Sequence, residues 1–241
     1  MNILFYTILF IVGSVIGCIW SKKTIEIPKN LDLKKTHYSD NSHQELISKL
    51  TYILIGGVSS VVLANVLNIN IYELDILNLI IYIFAILYIS TLIVIAGIDK
   101  NYSKIEKSVL AFGIISSIIY MLYLCVIDLG SIHLNVIYLA IYMVLLIIDT
   151  FLLRRFAKDS YIVNILMLLN IILVFTDLRT LTYTAVMALI SIMLYAIILK
   201  FQKKNGRKNK IKIQEIPVGY FIAASNVIVL FIIRIFENYF I

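Results

Sequence analysis

Apolar residues recur along this chain in eight long runs rather than in alternating or amphipathic stripes: 2–20, 49–69, 76–98, 108–127, 133–152, 160–176, 180–200 and 216–236. Crossing a hydrocarbon core of about 30 Å takes roughly 20 apolar residues in a helix. Each run approaches that length, and the sixth is short. The two prolines, Pro28 and Pro217, stand in a loop and at a span start. The pattern predicts helices, because a helix satisfies its own backbone hydrogen bonds in lipid and an open strand does not. The expected fold is all-α: a polytopic membrane protein of about eight transmembrane helices. It forms one unit over residues 1–241, with no second domain and no internal repeat. The first run reads as a retained helix. No positive segment precedes it, and Ser21-Lys22-Lys23 follows in place of a small-x-small cleavage site.

Composition agrees with the pattern. Hydrophobic residues make up 61% of the chain and mean hydropathy is +0.98, far outside the range of soluble domains. Charge then orients it. Of the 21 Lys and Arg residues, six fall in 21–50, three in 99–107, three in 153–159 and seven in 200–215, leaving only Arg179 and Arg234 elsewhere. By the positive-inside rule those four segments are cytoplasmic, and an even number of spans then puts both termini outside. The longer cytoplasmic loops are expected at about 21–48 and 200–215. The net charge of +7 reflects this topology and does not imply nucleic acid. The run Lys203-Lys204-Asn205-Gly206-Arg207-Lys208 reads as a solvated loop near anionic lipid. The lipid bilayer is the expected surroundings.

Small residues mark close helix contacts. Gly13 and Gly17 in the first span, and Gly56-Gly57 with Ser59-Ser60 in the second, offer faces on which helices can approach. Cys18 and Cys125 fall inside spans at opposite membrane faces, a placement that disfavours a disulfide between them. His37, His43 and His133 have no ligand-spaced partner, so no metal site is expected. Ser, Thr and Cys nucleophile arrangements lack a suitably placed histidine, and there is no Gly-rich phosphate loop. The span centres are largely apolar, Asn65, Asn164, Asn170 and scattered Ser or Thr aside. That pattern disfavours a transporter, which more often places polar groups at the midplane.

Ionisable residues in or at the end of a span are costly and so are functional candidates. Asp99 follows the third span and Asp159 precedes the sixth, both on the cytoplasmic side. Either alone reads as a helix-end residue, Asp159 as an N-cap. Together, two carboxylates at one depth meet the requirement for aspartyl proteolysis. One acts as acid while the other activates water. Asp149 lies deeper in the fifth span, near Arg154 and Arg155, and reads as their ion-pair partner or as a third group of the site. Asp75, Asp128 and Asp177 belong to the outer face.

Four segments carry a resemblance. Ile98-Asp99-Lys100-Asn101-Tyr102-Ser103-Lys104-Ile105-Glu106 is followed by an apolar helix; Asp159 stands sixty residues after Asp99; Glu215-Ile216-Pro217-Val218-Gly219-Tyr220-Phe221 opens the last span; and Gly17-Cys18 ends the first. In order, spacing and sidedness these resemble the type IV prepilin peptidase family, bilayer-embedded aspartyl proteases of the Gly-x-Gly-Asp type. The motifs are degenerate. Glu106 stands where the family has proline, and Phe156-Ala157-Lys158 replaces the glycines before the second aspartate. The resemblance implies an aspartic endopeptidase with Asp99 and Asp159 as catalytic residues. It would remove the basic leader of prepilin or pseudopilin substrates at the cytoplasmic face of the cell membrane. The first cytoplasmic loop has no cysteine, so no zinc is expected. S-adenosylmethionine enters only if N-methyltransferase activity is retained, and otherwise no cofactor is expected. The alternative is a catalytically inactive relative acting as a scaffold or transporter component in pilus assembly or secretion.

Overall fold

The computed structural model describes residues 2–30, 42–67, 69, 76–127, 130–153, 160–176, 178–204 and 216–240. Every regular element among them is a helix. In chain order they are α1 (Asn2–Asn30), α2 (Ser42–Val66), α3 (Ile76–Tyr102), α4 (Lys107–Ile127), α5 (Ile132–Ile147) with a π-helical continuation over Ile148–Leu153, α6 (Ser160–Phe175), α7 (Leu178–Lys204) and α8 (Val218–Phe240). Six are long and apolar enough to cross a membrane, and shorter apolar stretches occupy Tyr161–Phe175 and Val218–Ile233. This is the make-up of a multi-pass membrane protein.

Several boundaries, the start of α2 at Ser42 among them, differ from the sequence pattern for a physical reason. Hydropathy reports where lipid ends, whereas a helix continues as long as nothing breaks it. Thus α1 runs ten residues past Trp20. Its polar end carries the exposed pairs Lys22–Glu26 and Lys23–Glu26 at helical spacing, and it accommodates Pro28 only in its last turn. Likewise α3 extends to Tyr102, so Asp99 lies on its final helical turn instead of after it.

The bundle is organised around α3, which contacts α1, α2, α4 and α8. One face of α3, formed by Ile89, Leu92, Ile95 and Ile98, is fully buried and meets Leu168, Ile171 and Ile172 of α6 and Ala223 of α8 in a single core. Ordinary globular patterning is inverted on the periphery. Val136, Ile141 and Val144 of α5 and Leu189, Met193 and Ile197 of α7 are exposed. An apolar outer surface of this extent suits lipid, not water.

The first two helices meet as the glycines predict. A Cβ placed on Gly13 or Gly17 would run into the backbone carbonyl of Gly56 or Tyr52 on α2. One placed on Gly56 would lie 2.8 Å from the Gly17 backbone as well as striking the Gly13 carbonyl. The backbones themselves are in contact, the close approach that small residues permit between membrane helices.

Candidate functional site

The site is assembled where three helices end or begin. α3 stops because its apolar run gives way to Asp99-Lys100-Asn101-Tyr102, and the chain then turns at Ser103. Ser103 is left-handed, with φ 48°, and its N–H donates to the Asp99 carbonyl at 2.7 Å. A non-glycine residue in that region costs about 1 kcal/mol or more. The turn drives Ile105 inward, where it is completely buried before α4 begins. Asn164 of α6 secures this plug, its Nδ2 donating to the Ile105 carbonyl at 3.0 Å.

The start of α8 leaves three backbone N–H groups without intrahelical partners, those of Val218, Gly219 and Tyr220, because proline at 217 has none to offer. Each is accounted for. The N-cap position falls on Pro217, whose carbonyl accepts from Phe221 N–H at 3.3 Å but whose ring offers no side-chain acceptor. Val218 N–H donates to the Ile216 carbonyl at 2.9 Å. The remaining two donors are satisfied by other helices. Gly219 N–H donates to the Tyr161 hydroxyl of α6 at 3.2 Å, and Tyr220 N–H donates to Asp99 Oδ2 of α3 at 2.9 Å. The helix is therefore capped in trans. Close approach requires glycine at 219, since a Cβ there would lie 2.6 Å from Ile105 Cδ1 and 3.1 Å from Asp99 Oδ2.

Asp99 stands at the centre of this junction with no exposure to solvent. Tyr161 donates its hydroxyl proton to both carboxylate oxygens, at 2.9 Å each. A carboxylate at a helix N-terminus also gains from the positive end of the helix dipole. Around it, the Tyr52 hydroxyl of α2 packs against Gly97 beside Thr24 of α1. Outside it, the exposed Lys100 lies 5.7 Å from the centre of the Tyr220 ring, within cation–π range. The arrangement holds one carboxylate in a fixed orientation, at the end of a span, among donors from two other helices.

Of the residues the sequence singled out, Asp99 occupies this junction. Asp159 lies outside the described residues, as do Arg154, Arg155, Asp75, Asp128, Asp177 and residues 31–41 and 205–215 of the two polar loops. Asp149 lies elsewhere: it is buried in the π-helical turn, accepting from Asn170 Nδ2 of α6 at 2.5 Å. Cys18 and Cys125 are both free thiols. Sequence reasoning missed Tyr161 and the two α8 amides as partners of Asp99. The available signal was positional, since Tyr161 and Asn164 share one face of α6 at i, i+3 and are the polar members of that otherwise apolar stripe.

It also passed over Asn226. This residue accepts from the Tyr88 hydroxyl at 2.5 Å and donates to Thr184 Oγ1 at 3.0 Å, with all three side chains buried. Thr184 in turn donates to the Thr180 carbonyl. The trio lies roughly 16 Å along α3 from Asp99 and ties α3, α7 and α8 together. Each such interhelical bond is worth about 0.6 kcal/mol in a membrane protein. Its donors and acceptors are used up internally, which is the behaviour of packing and not of a transport pathway.

Comparison with known proteins finds no matching family model, no matching curated protein and no matching solved structure.

Proposed function

We propose that this protein is a membrane aspartyl endopeptidase that removes the basic leader from type IV prepilin-like proteins at the cytoplasmic face of the cell membrane. In this reading eight helices span the bilayer, both termini face outward, and Asp99 and Asp159 form the catalytic pair. One observation carries it. Asp99, a carboxylate buried at the end of a span, is held by Tyr161, and only Ser160 separates Tyr161 from Asp159 in the chain. Two residues extend at most about 7 Å, so along the chain Asp159 stands within that reach of the backbone of Tyr161, the residue whose hydroxyl fixes Asp99.

The chemistry follows from two carboxylates sharing a water. One takes a proton from the water as its oxygen adds to the scissile carbonyl carbon. The other gives a proton to the departing amine as the C–N bond breaks. The pair titrates as a unit, so neither role belongs to one residue. Nineteen cationic residues on the cytoplasmic side offer a basic leader no attraction. This reading therefore places recognition in the substrate's apolar helix and in the backbone around the cleavage point.

A second reading has its own observation. Asp99 is wholly buried, with Tyr161 and the Tyr220 amide on its oxygens, and it serves as the N-cap that α8 lacks. That is what a catalytically inactive relative, acting as a scaffold in pilus assembly or secretion, would retain. Co-expression with a prepilin, followed by the size of the product, separates the two. Asn caps a helix as well as Asp does, so Asp99→Asn preserves the structural role and removes the acid. The peptidase reading expects the parent to process the prepilin, and Asp99→Asn and Asp159→Asn each to slow processing by about a thousandfold or more. Processing at the parental rate in both variants sinks the catalytic pair.

A further inference from the structure

We propose that Tyr161 is the positioning residue of this site: its phenol fixes the Asp99 carboxylate and ties it to the start of α8. The direction of its hydrogen bonds is unambiguous. Gly219 N–H can only donate, so the Tyr161 oxygen accepts there at 3.2 Å. The single phenolic proton is then directed at the carboxylate, 2.9 Å from both oxygens. The result is a polarised chain, N–H to O–H to carboxylate, in which each bond strengthens the next.

Geometry makes the phenol hard to replace. Asp99 receives donors from two directions, Tyr161 on α6 and Tyr220 N–H on α8. Losing the first leaves the carboxylate held from the α8 side alone, by the Tyr220 and Gly219 amides, and it takes the phenol oxygen away from the Gly219 N–H. Displacing a reacting group by about 1 Å can cost a hundredfold in rate. Binding of substrate is not a property of this contact, since the hydroxyl is spent within the protein.

The kinetic arm of the test rests on the peptidase reading, and a structural arm does not. In the full-length protein, purified in mild detergent, unfolding is measured for the parent, Tyr161→Phe, Asp99→Ala and the double variant. If the phenol acts on Asp99, the two substitutions are non-additive, and the destabilisation by Tyr161→Phe shrinks to less than about half when Asp99 is absent. With a purified prepilin as substrate, Tyr161→Phe lowers kcat by about tenfold or more while KM stays within about twofold. Additive unfolding overturns the inference. So does an unchanged kcat with an active parent, and so does a raised kcat, which would make the phenol a restraint. A parent that cleaves no prepilin, together with a non-additive cycle, sinks the peptidase reading and leaves the positioning contact standing.

Discussion

The α1–α2 seam and the Asp99 junction both bring helices into intimate contact, by opposite means. At the seam, Gly13, Gly17 and Gly56 supply an absence of atoms, and backbone lies against backbone. At the junction, Asp99, Tyr161 and the Gly219 and Tyr220 amides supply matched donors and acceptors from three helices. The seam joins neighbours in sequence, whereas the junction joins positions up to 121 residues apart. Shape specifies the first and proton direction the second. Each is therefore sensitive to a change that the other tolerates.

The largest effect on stability is expected from added volume at the seam. Gly56→Leu places a side chain against the Gly13 carbonyl and the Gly17 backbone, and it should destabilise the folded protein by about 3 kcal/mol in detergent unfolding. A near-parental midpoint would mean that the seam is not close-packed. Next comes removal of the acceptor at the junction. Asp99→Ala leaves Tyr220 N–H without its cap and should cost about 1–2 kcal/mol, while Asp99→Asn stays within about 0.5 kcal/mol of the parent. Equal losses in the two variants would show that charge, not acceptor geometry, holds the junction. The smallest effect tests the seam's indifference to polarity. Ser14 Oγ is buried there, against Gly57, with no hydrogen-bond partner among the described residues. Ser14→Ala should be neutral or stabilise by up to about 1 kcal/mol, and a clear loss would reveal a hydrogen bond at the seam.

This contrast also governs what could be read from the chain. Helix positions were legible because span length is set by hydropathy and each apolar run maps onto one helix. The seam was legible too, since small residues at helical spacing leave few other uses. Asp99 announced itself through the cost of a carboxylate beside lipid. Its partners did not. Tyr161 sits in an apolar run, where a tyrosine is indistinguishable from a core aromatic until its hydroxyl is located. The amides of Gly219 and Tyr220 carry no side-chain signature, and only the inability of Pro217 to cap its own helix hinted that an acceptor must come from outside. The end of α1 was misjudged for a related reason: lipid exposure and helicity are separate properties, and Lys22, Lys23 and Glu26 favour the second without the first.

Pro217 has a further consequence, for the order in which the protein is built. Asp99 and Tyr161 leave the ribosome well before α8 does, and until then the carboxylate has no backbone amides to receive. Conversely, α8 cannot satisfy its first turn by itself, so in lipid that turn is unfavourable until α3 and α6 are already side by side. The junction therefore closes late in synthesis. A chain halted before α8 would hold its carboxylate by the Tyr161 phenol alone, and completion of the helix adds the amides that lock it.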